Sequence, residues 1–90
     1  SGPDANNLKI NEESTSIYDL QPGDYGRVTQ IKTHGAIRQR LIDMGVIPGT
    51  EIKMERVAPT GEPVWLVLDG IHLSLRRHEA KSVLIRVKKD

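Results

Sequence analysis

One stretch near the middle of the chain constrains the fold most, because it encodes a short helix, an abrupt stop and a new strand. Ile37, Leu41 and Met44 recur at i, i+4 and i+7, which places them on one face of a helix of about three turns. Gly45 follows, and glycine enters the left-handed region without a Cβ clash. A Pro48-Gly49 pair then predicts a turn. We therefore expect the helix to end sharply and the chain to continue as a strand.

The segments on either side of this helix carry the two-residue period of β-strands. Ile52 and Met54 alternate with charged residues directly after the helix, and the apolar residues of 83–87 alternate in the same way. Before the helix, within residues 24–32, two apolar residues lie three apart, so a bulge or a strand end is expected there. Residues 77–81 predict a polar turn or a single helical turn.

Asp69-Gly70 is a strong hairpin signal, because both central positions of a type I′ turn need positive φ. A two-residue loop at this point predicts the register of the two strands that it joins: Leu68 opposite Ile71, Leu66 opposite Leu73, and Val64 opposite Leu75. These six aliphatic side chains are expected to share one face, the interior. The opposite face then carries Trp65, Val67, His72, Ser74 and Arg76.

Together these elements predict a mainly β fold, a small barrel of about five short strands with one short helix inserted after the first strand. Closing the barrel would remove the exposed edges that a sheet of this size otherwise presents. A chain of 90 residues is expected to form a single domain. Its core is expected to be aliphatic, since the sequence contains three aromatic residues and no phenylalanine.

Composition excludes several classes of protein. The chain has no cysteine, which excludes disulfides and thiolate metal sites and fits a reducing compartment. No apolar run approaches the ~18 residues of a membrane span, and no secretory signal is visible, so we expect a soluble, cytoplasmic protein without direct membrane insertion. A net charge of +1, from 13 basic and 12 acidic residues, predicts weak non-specific attraction to nucleic acid.

The N-terminal 15 residues differ in composition from the rest of the chain. They are rich in Asn, Ser, Asp and Glu, and the Ser-Gly-Pro start is typical of a cloning remnant. We interpret residues 1–15 as a disordered leader and residues 16–90 as the folded domain, with order beginning near Ile17. Leu8 and Ile10 alternate with polar residues and offer thin support for a short edge strand.

Four blocks of this sequence, in this order and with these gaps, resemble the FeoA family. The blocks are residues 17–24 (IYDLQPGD), 38–52 (RQRLIDMGVIPGTEI), 58–63 (APTGEP) and 73–80 (LSLRRHEA). The resemblance extends over residues 17 to 87. It implies an SH3-like barrel that serves as a small cytoplasmic accessory of FeoB, the membrane transporter of ferrous iron. The family brings no catalytic residues. The chain also resembles, more loosely, the C-terminal barrel of iron-dependent repressors related to the diphtheria toxin repressor.

The residues themselves do not predict a metal site, a cofactor or a catalytic centre. His34, His72 and His78 lie on different predicted elements, and no two of them have the spacing of ligands on one helix or strand. Ser74 lies in a strand without an oriented base, so it is a poor candidate nucleophile. We therefore expect a non-enzymatic protein without a resident metal or cofactor.

The candidate partner-binding residues are those expected to project from the hairpin and the helix: Trp65, Val67, His72, Arg76, Arg77 and Arg38. Trp65 is the most informative of them, because an exposed tryptophan beside an apolar neighbour is enriched at interfaces. The equally weighted alternative is that the N-terminal segment or the helix covers its indole. The arginines suit an acidic partner surface, although scattered surface charges are usually only solvated. For Arg40 we favour a structural role, bonding carbonyls at a strand end.

Three functions are compatible with these patterns. The favoured one is a binding module that docks on the cytosolic region of FeoB, as a monomer or weak homo-oligomer. The second is a metal-responsive regulatory domain detached from an iron-dependent repressor. The third is a nucleic-acid-binding barrel, against which stand the near-zero net charge and the few aromatic residues available for base stacking.

Overall fold

A computed structural model of the chain describes residues 14–88, which form six strands, two short α-helices and one 3₁₀ turn. In chain order the elements are β1 (Ser14–Ser16), the 3₁₀ turn (Ile17–Asp19), β2 (Tyr25–Ile31), α1 (Gly35–Asp43), β3 (Glu51–Val57), β4 (Val64–Leu68), β5 (Ile71–Leu75), α2 (Arg77–Lys81) and β6 (Val83–Lys88). The prediction of a mainly β fold with one inserted helix is confirmed, and the single helical turn expected at residues 77–81 is α2.

All six strands belong to one antiparallel sheet, in the order β1-β6-β2-β3-β4-β5. β1 exceeds the expected count of about five, so α1 follows the second strand rather than the first. Thr15 of β1 lies opposite Ile85 of β6, which shows that Ser14 and Thr15 are paired in the sheet and do not belong to the predicted leader. Residues 1–13, including the thinly supported strand at Leu8 and Ile10, lie outside the described residues.

The predicted closure of the barrel by backbone pairing is wrong for the described residues. β1 and β5 are the two end strands of the sheet, each with a single pairing neighbour. β5 pairs with β4 alone, so its outer edge has no strand beside it. The sheet therefore ends at β5, within the hairpin that carries several of the candidate binding residues.

The core is aliphatic, as the composition predicts. One buried cluster joins both helices to the sheet, and its members are Ile17, Leu20, Val28, Leu41, Val46, Ile52, Met54, Val64, Leu66, Leu68, Leu75, Ala80, Val83 and Ile85. Fully burying one side chain of this size contributes about 1.5 to 3 kcal/mol relative to leaving it exposed. None of these buried residues is aromatic, and Tyr18 is only partly buried where it packs against the cluster.

The β4–β5 hairpin has the predicted turn and the predicted register. Asp69 and Gly70 have φ of 53° and 78°, as a type I′ turn requires, and all three predicted aliphatic couples lie opposite each other. One of the six side chains predicted to face the interior, that of Ile71, does not do so. Ile71 is 62% exposed, because it stands at the start of an end strand, where no neighbouring strand covers it.

Two bulges change the direction of side chains in the sheet. The first interrupts β2 between Val28 and Gln30 and confirms the bulge expected from the spacing of apolar residues. The second interrupts β3 between Met54 and Arg56, and the alternating pattern does not predict it. Because the extra residue breaks the two-residue period, Glu55 and Arg56 are both exposed.

The end of α1 is fixed by the backbone hydrogen bonds of a Schellman motif. The N–H of Gly45 donates to the carbonyl of Ile42, and the N–H of Val46 donates to that of Leu41, each at 2.9 Å. Gly45 has φ of 93°, so its predicted left-handed conformation is confirmed. Leu41 and Val46 are both fully buried, and the sharp stop therefore returns the chain to the core within two residues.

Gly45→Val is expected to lower the free energy of unfolding by about 1 to 3 kcal/mol, because a β-branched residue is strained at positive φ. A Cβ at this position would lie 3.5 Å from Cδ2 of Leu68, an ordinary contact, so the cost arises in the backbone. Gly45→Asn is the matched control and should lose less, since asparagine tolerates the left-handed region. Chemical denaturation measures both variants, and a valine variant as stable as the parent would contradict this explanation.

Candidate functional site

The outward side chains of β3, β4 and β5 form one continuous surface, which we call the outer face. Its members are Lys53, Glu55, Arg56, Trp65, Val67, His72 and Ser74. Val67 lies between Lys53 and His72 in the ladder, and Trp65 lies between Arg56 and Ser74. The structure therefore brings together the predicted candidates Trp65, Val67 and His72.

Trp65 is partly buried on the outer face, and the cover that it finds there comes from β3. The guanidinium carbon of Arg56 lies 4.7 Å from the centroid of the indole ring, a cation–π contact worth about 0.5 to 1 kcal/mol at an exposed site. The helix, one of the two predicted covers, does not supply this contact, and residues 1–13 of the other, the N-terminal segment, lie outside the described residues. The β3 bulge supplies it, because it turns Arg56 to the outer side of the sheet. A long exposed side chain is a cover that a partner can displace at small cost.

His72 makes an exposed side-chain contact with Glu55 on the same surface. Its Nδ1 lies 2.9 Å from Oε1 of Glu55, and the two side chains are 61% and 39% exposed. Such pairs contribute little to stability. The other two histidines lie elsewhere, His34 at the start of α1 and His78 within α2. Within residues 14–88 no three His, Cys, Asp or Glu side chains are grouped as ligands of one metal ion.

Arg77 is engaged within the domain. Its Nε donates to the hydroxyl of Tyr18 at 3.1 Å, and its Nη2 donates to the carbonyl of Thr60 at 3.0 Å. The Tyr18 hydroxyl in turn donates to the carbonyl of Gly61 at 2.9 Å. A Cβ at Gly61, whose φ is 98°, would overlap Nη2 of Arg77. These contacts tie the β3–β4 loop to the start of the domain, and they leave Arg77 little freedom to bind a partner.

A buried carboxylate, that of Glu79, binds groups of α1 and α2 just after the C-terminal end of β5. Glu79 is 3% exposed, and its Oε1 accepts the backbone N–H of Arg76 at 2.8 Å, which caps α2. Its Oε2 lies 3.1 Å from Nε of Arg40. The structural role predicted for Arg40 therefore holds, but the predicted acceptor was wrong, since the guanidinium binds this carboxylate rather than strand-end carbonyls. Removing water from a carboxylate is costly, which explains why both oxygens have donors.

Sequence reasoning missed Glu79 for an identifiable reason. A glutamate at the third position of a helix is the second half of a capping box, but the first half is normally Ser, Thr, Asp or Asn. Here Arg76 is the N-cap residue, where Ser, Thr, Asp or Asn normally stands, and its backbone N–H donates to the Glu79 carboxylate. The remaining signal was a glutamate beside an alanine in a short polar segment, and it does not distinguish a buried carboxylate from a solvated one.

Arg76 and Arg38 present free guanidinium groups. Both side chains are exposed, and neither has an ion pair with another residue of the described chain. Arg76 borders two adjoining depressions between α1, α2 and β5, and Arg40 borders the same two. Arg38, two residues earlier on α1, lines neither of them. The three basic candidates thus differ: Arg77 is bound within the domain, Arg76 is free and borders a groove, and Arg38 is free on an open surface.

A third depression, of ≈ 410 Å³, lies beside Val67 and includes Tyr25 and Glu51. Glu51 lies 2.7 Å from Nζ of Lys88. The hydrogen bond from Lys88 and its charge, with a smaller contribution from Arg27, hold the pKa of Glu51 below its ordinary value. The Glu51 carboxylate of this depression is therefore already paired with a lysine.

These features define a class of protein before any family is considered: a small, sheet-built domain whose most firmly held polar groups cap a helix or attach a loop. The FeoA domain model matches residues 15–87. The chain therefore belongs to the FeoA domain family, and the resemblance noted in the sequence is confirmed.

Solved structures of similar proteins agree with this assignment. The FeoA-like protein from Clostridium acetobutylicum superimposes with a TM-score of 0.79 at 35% identity, over 87% of this chain and 91% of that one. FeoA from Stenotrophomonas maltophilia, described as a prokaryotic SH3 domain protein and crystallised with zinc, gives a TM-score of 0.70 at 27% identity, over 79% and 88% of the two chains. The fold is thus SH3-like, as the resemblance implied.

Two longer proteins contain a similar domain. A FeoA/FeoB fusion protein from Porphyromonas gingivalis is 28% identical over 71 residues, which are 79% of this chain and 8% of the fusion protein. IdeR from T. acidophilum matches with a TM-score of 0.76 at 26% identity, over 83% of this chain and 34% of that one. The chain therefore spans a small part of each of these relatives. Among residues 14–88, no helix is both long and apolar enough to cross a membrane.

Arg40→Gln is expected to lower the free energy of unfolding by about 1.5 to 3 kcal/mol, because it removes a charged donor from a buried carboxylate. Arg38→Gln is the matched control on the same helix and should change stability by less than about 0.5 kcal/mol. In a double-mutant cycle, Glu79→Gln should reduce the cost of Arg40→Gln, since the two groups interact. Equal denaturation midpoints for the Arg40 and Arg38 variants would show that the pair is not structural.

Proposed function

We propose that this domain is a cytosolic accessory of ferrous-iron uptake that docks on the cytosolic region of the transporter FeoB through its outer face. The observation that carries the proposal is the similarity to a FeoA/FeoB fusion protein. Two domains joined in one polypeptide are held at high effective concentration, which favours a direct contact between them. A separate chain of the same family needs a surface that makes this contact without a tether.

The outer face has the composition of such a surface. Trp65 and Val67 supply an apolar centre, and Lys53, Glu55, Arg56 and His72 surround it with charge of both signs. Interfaces commonly combine an aromatic anchor with a polar rim. Arg56 lies over the indole in the isolated domain, so docking requires only that one exposed side chain move aside.

The domain is proposed to act by contact and to carry no chemistry of its own. The polar groups that are most strongly held, Glu79 and Arg77, are engaged in capping and in binding the β3–β4 loop. Ser74 lies opposite Trp65 within a regular strand ladder, and a nucleophilic serine needs an oriented base beside it. Any effect on transport or on nucleotide hydrolysis would therefore be exerted on the partner.

Trp65→Ala is expected to weaken binding to the purified cytosolic region of the cognate transporter at least tenfold, as loss of an aromatic anchor does at interfaces. Because the indole is only partly buried, stability should fall by about 1.5 to 2.5 kcal/mol, roughly half of the ~3 to 5 kcal/mol that a buried aromatic costs. Calorimetric titration and thermal unfolding measure the two effects.

Ile47→Ala is the matched control for this prediction. Ile47 is 42% exposed and lies in the α1–β3 loop, outside the outer face, so its loss should leave binding unchanged. A Trp65→Ala variant that folds and binds like the parent would move the docking surface elsewhere. A parent chain that shows no binding to the transporter region would refute the proposed function.

A further inference from the structure

The two depressions beside Arg40 and Arg76 form a groove that adjoins the outer face and shares Ser74 with it. One, of ≈ 390 Å³, is lined by Arg40, Glu62, Pro63, Ser74, Leu75 and Arg76. The other, of ≈ 230 Å³, is lined by Ala36, Ile37, Arg40, Arg76, His78 and Glu79. Because both arginines border both depressions, they stand at the junction of the two halves. We call this feature the arginine groove.

We infer that the arginine groove receives an acidic segment of the partner, with carboxylates binding Arg40 and Arg76. This inference rests on the proposed docking function and specifies the chemistry of the docked segment. Guanidinium groups bind carboxylates through paired, charge-assisted hydrogen bonds, which makes arginine well suited to such recognition.

Arg40 is held in place for this role by a group below it. Its Nε lies 3.1 Å from the buried Oε2 of Glu79, whereas 59% of the Arg40 side chain is exposed. A guanidinium fixed through Nε still has the N–H groups of its two terminal nitrogens for a second carboxylate. The side-chain entropy that arginine ordinarily loses on binding is partly lost already in the free domain, which favours association.

Arg76 supplies the second cation of the groove. Its backbone N–H caps α2 through Glu79, while its exposed side chain has no ion pair with any residue in the described part of the chain. The guanidinium is therefore available, and its position is set by a backbone that is itself hydrogen-bonded. Replacing this side chain leaves the backbone bond of the helix cap intact.

The acidic residues of the groove offset this charge at the surface only in part. The Glu79 carboxylate is 4% exposed and already accepts bonds from Arg40 and the Arg76 backbone. Glu62 is the exposed carboxylate of the groove, and it accepts the backbone N–H of Arg77 at 2.8 Å. The groove therefore exposes two guanidinium groups and one carboxylate. His78 also lines the groove. The apolar residues Ile37, Pro63 and Leu75 contribute further lining.

The groove is continuous with the proposed docking surface. Ser74 lines the larger depression and lies directly opposite Trp65 in the β4–β5 ladder. A partner segment that covers the indole can therefore extend past Ser74 to reach both arginines. The expected occupant combines an apolar contact for Trp65 with a following acidic stretch.

The test uses hexaglutamate peptide as a probe, titrated into the ¹⁵N-labelled chain at low salt and followed by nuclear magnetic resonance. We expect saturable shifts at the Arg40 Nε–H and at the amides of residues 74–78. Arg76→Gln should weaken this binding about tenfold, whereas Arg38→Gln, which removes the same charge outside the groove, should weaken it less than twofold. Shifts that do not saturate, or an equal effect of the two variants, would overturn the inference.

Titration with the transporter's cytosolic region separates this inference from the proposed function. If the parent chain binds the region and Arg76→Gln binds equally well, docking stands and the arginine groove is refuted as its acidic-segment site. If hexaglutamate binds as expected but the transporter region does not bind, the groove stands as an acidic-peptide site and the proposed partner is wrong. Loss of both interactions in Arg76→Gln alone supports the inference as stated.

Discussion

Two consecutive residues with positive φ, Asp69 at 53° and Gly70 at 78°, set the register of β4 against β5. The surface of the domain follows from that register. With it, the side chains of Val64, Leu66 and Leu68 enter the core. A slip by one residue would exchange the two faces and bury Trp65 in their place. The proposed function therefore depends on a turn whose own residues are not among those proposed to bind.

The groups outside the sheet are fastened by polar contacts of another kind. Glu79 links α1 to α2 through Arg40 and the cap at Arg76, and Arg77 links the β3–β4 loop to Tyr18. These contacts engage Arg77, one of the three arginines that the sequence offered as partner contacts, and Arg40, for which a structural role was predicted. The division matters for function, because a guanidinium that holds the fold together is fixed, whereas an exposed one adjusts to its partner. Arg40 combines the two properties, because its Nε is bound to Glu79 while much of its side chain is exposed.

Much of the fold could be predicted from local rules. The helix stop at Gly45, the type I′ turn and the bulge near Val28 each depend on residues within a few positions of one another, so their signals are complete in the sequence. The features that were missed depend on contacts between distant segments. Arg56 covers Trp65 because a second bulge, in β3, turns it outward. Ile71 is exposed because β5 is an end strand. The alternation of apolar residues within a strand does not show how many strands will lie beside it. The burial of Glu79 goes with its bond to Arg40 on α1, a residue far away in the sequence.

The central claim, that the outer face docks on the transporter, can be tested at a single atom. The chain contains one tryptophan, so the ¹⁵N-labelled protein gives one indole N–H signal, and it reports Trp65 alone. Titration with the unlabelled cytosolic region of FeoB is predicted to shift or broaden this signal in step with complex formation, together with the amides of β4 and β5. An indole signal that stays unchanged at saturation, while amides of β1 and β6 shift, would contradict the claim and place the interface at the other end of the sheet.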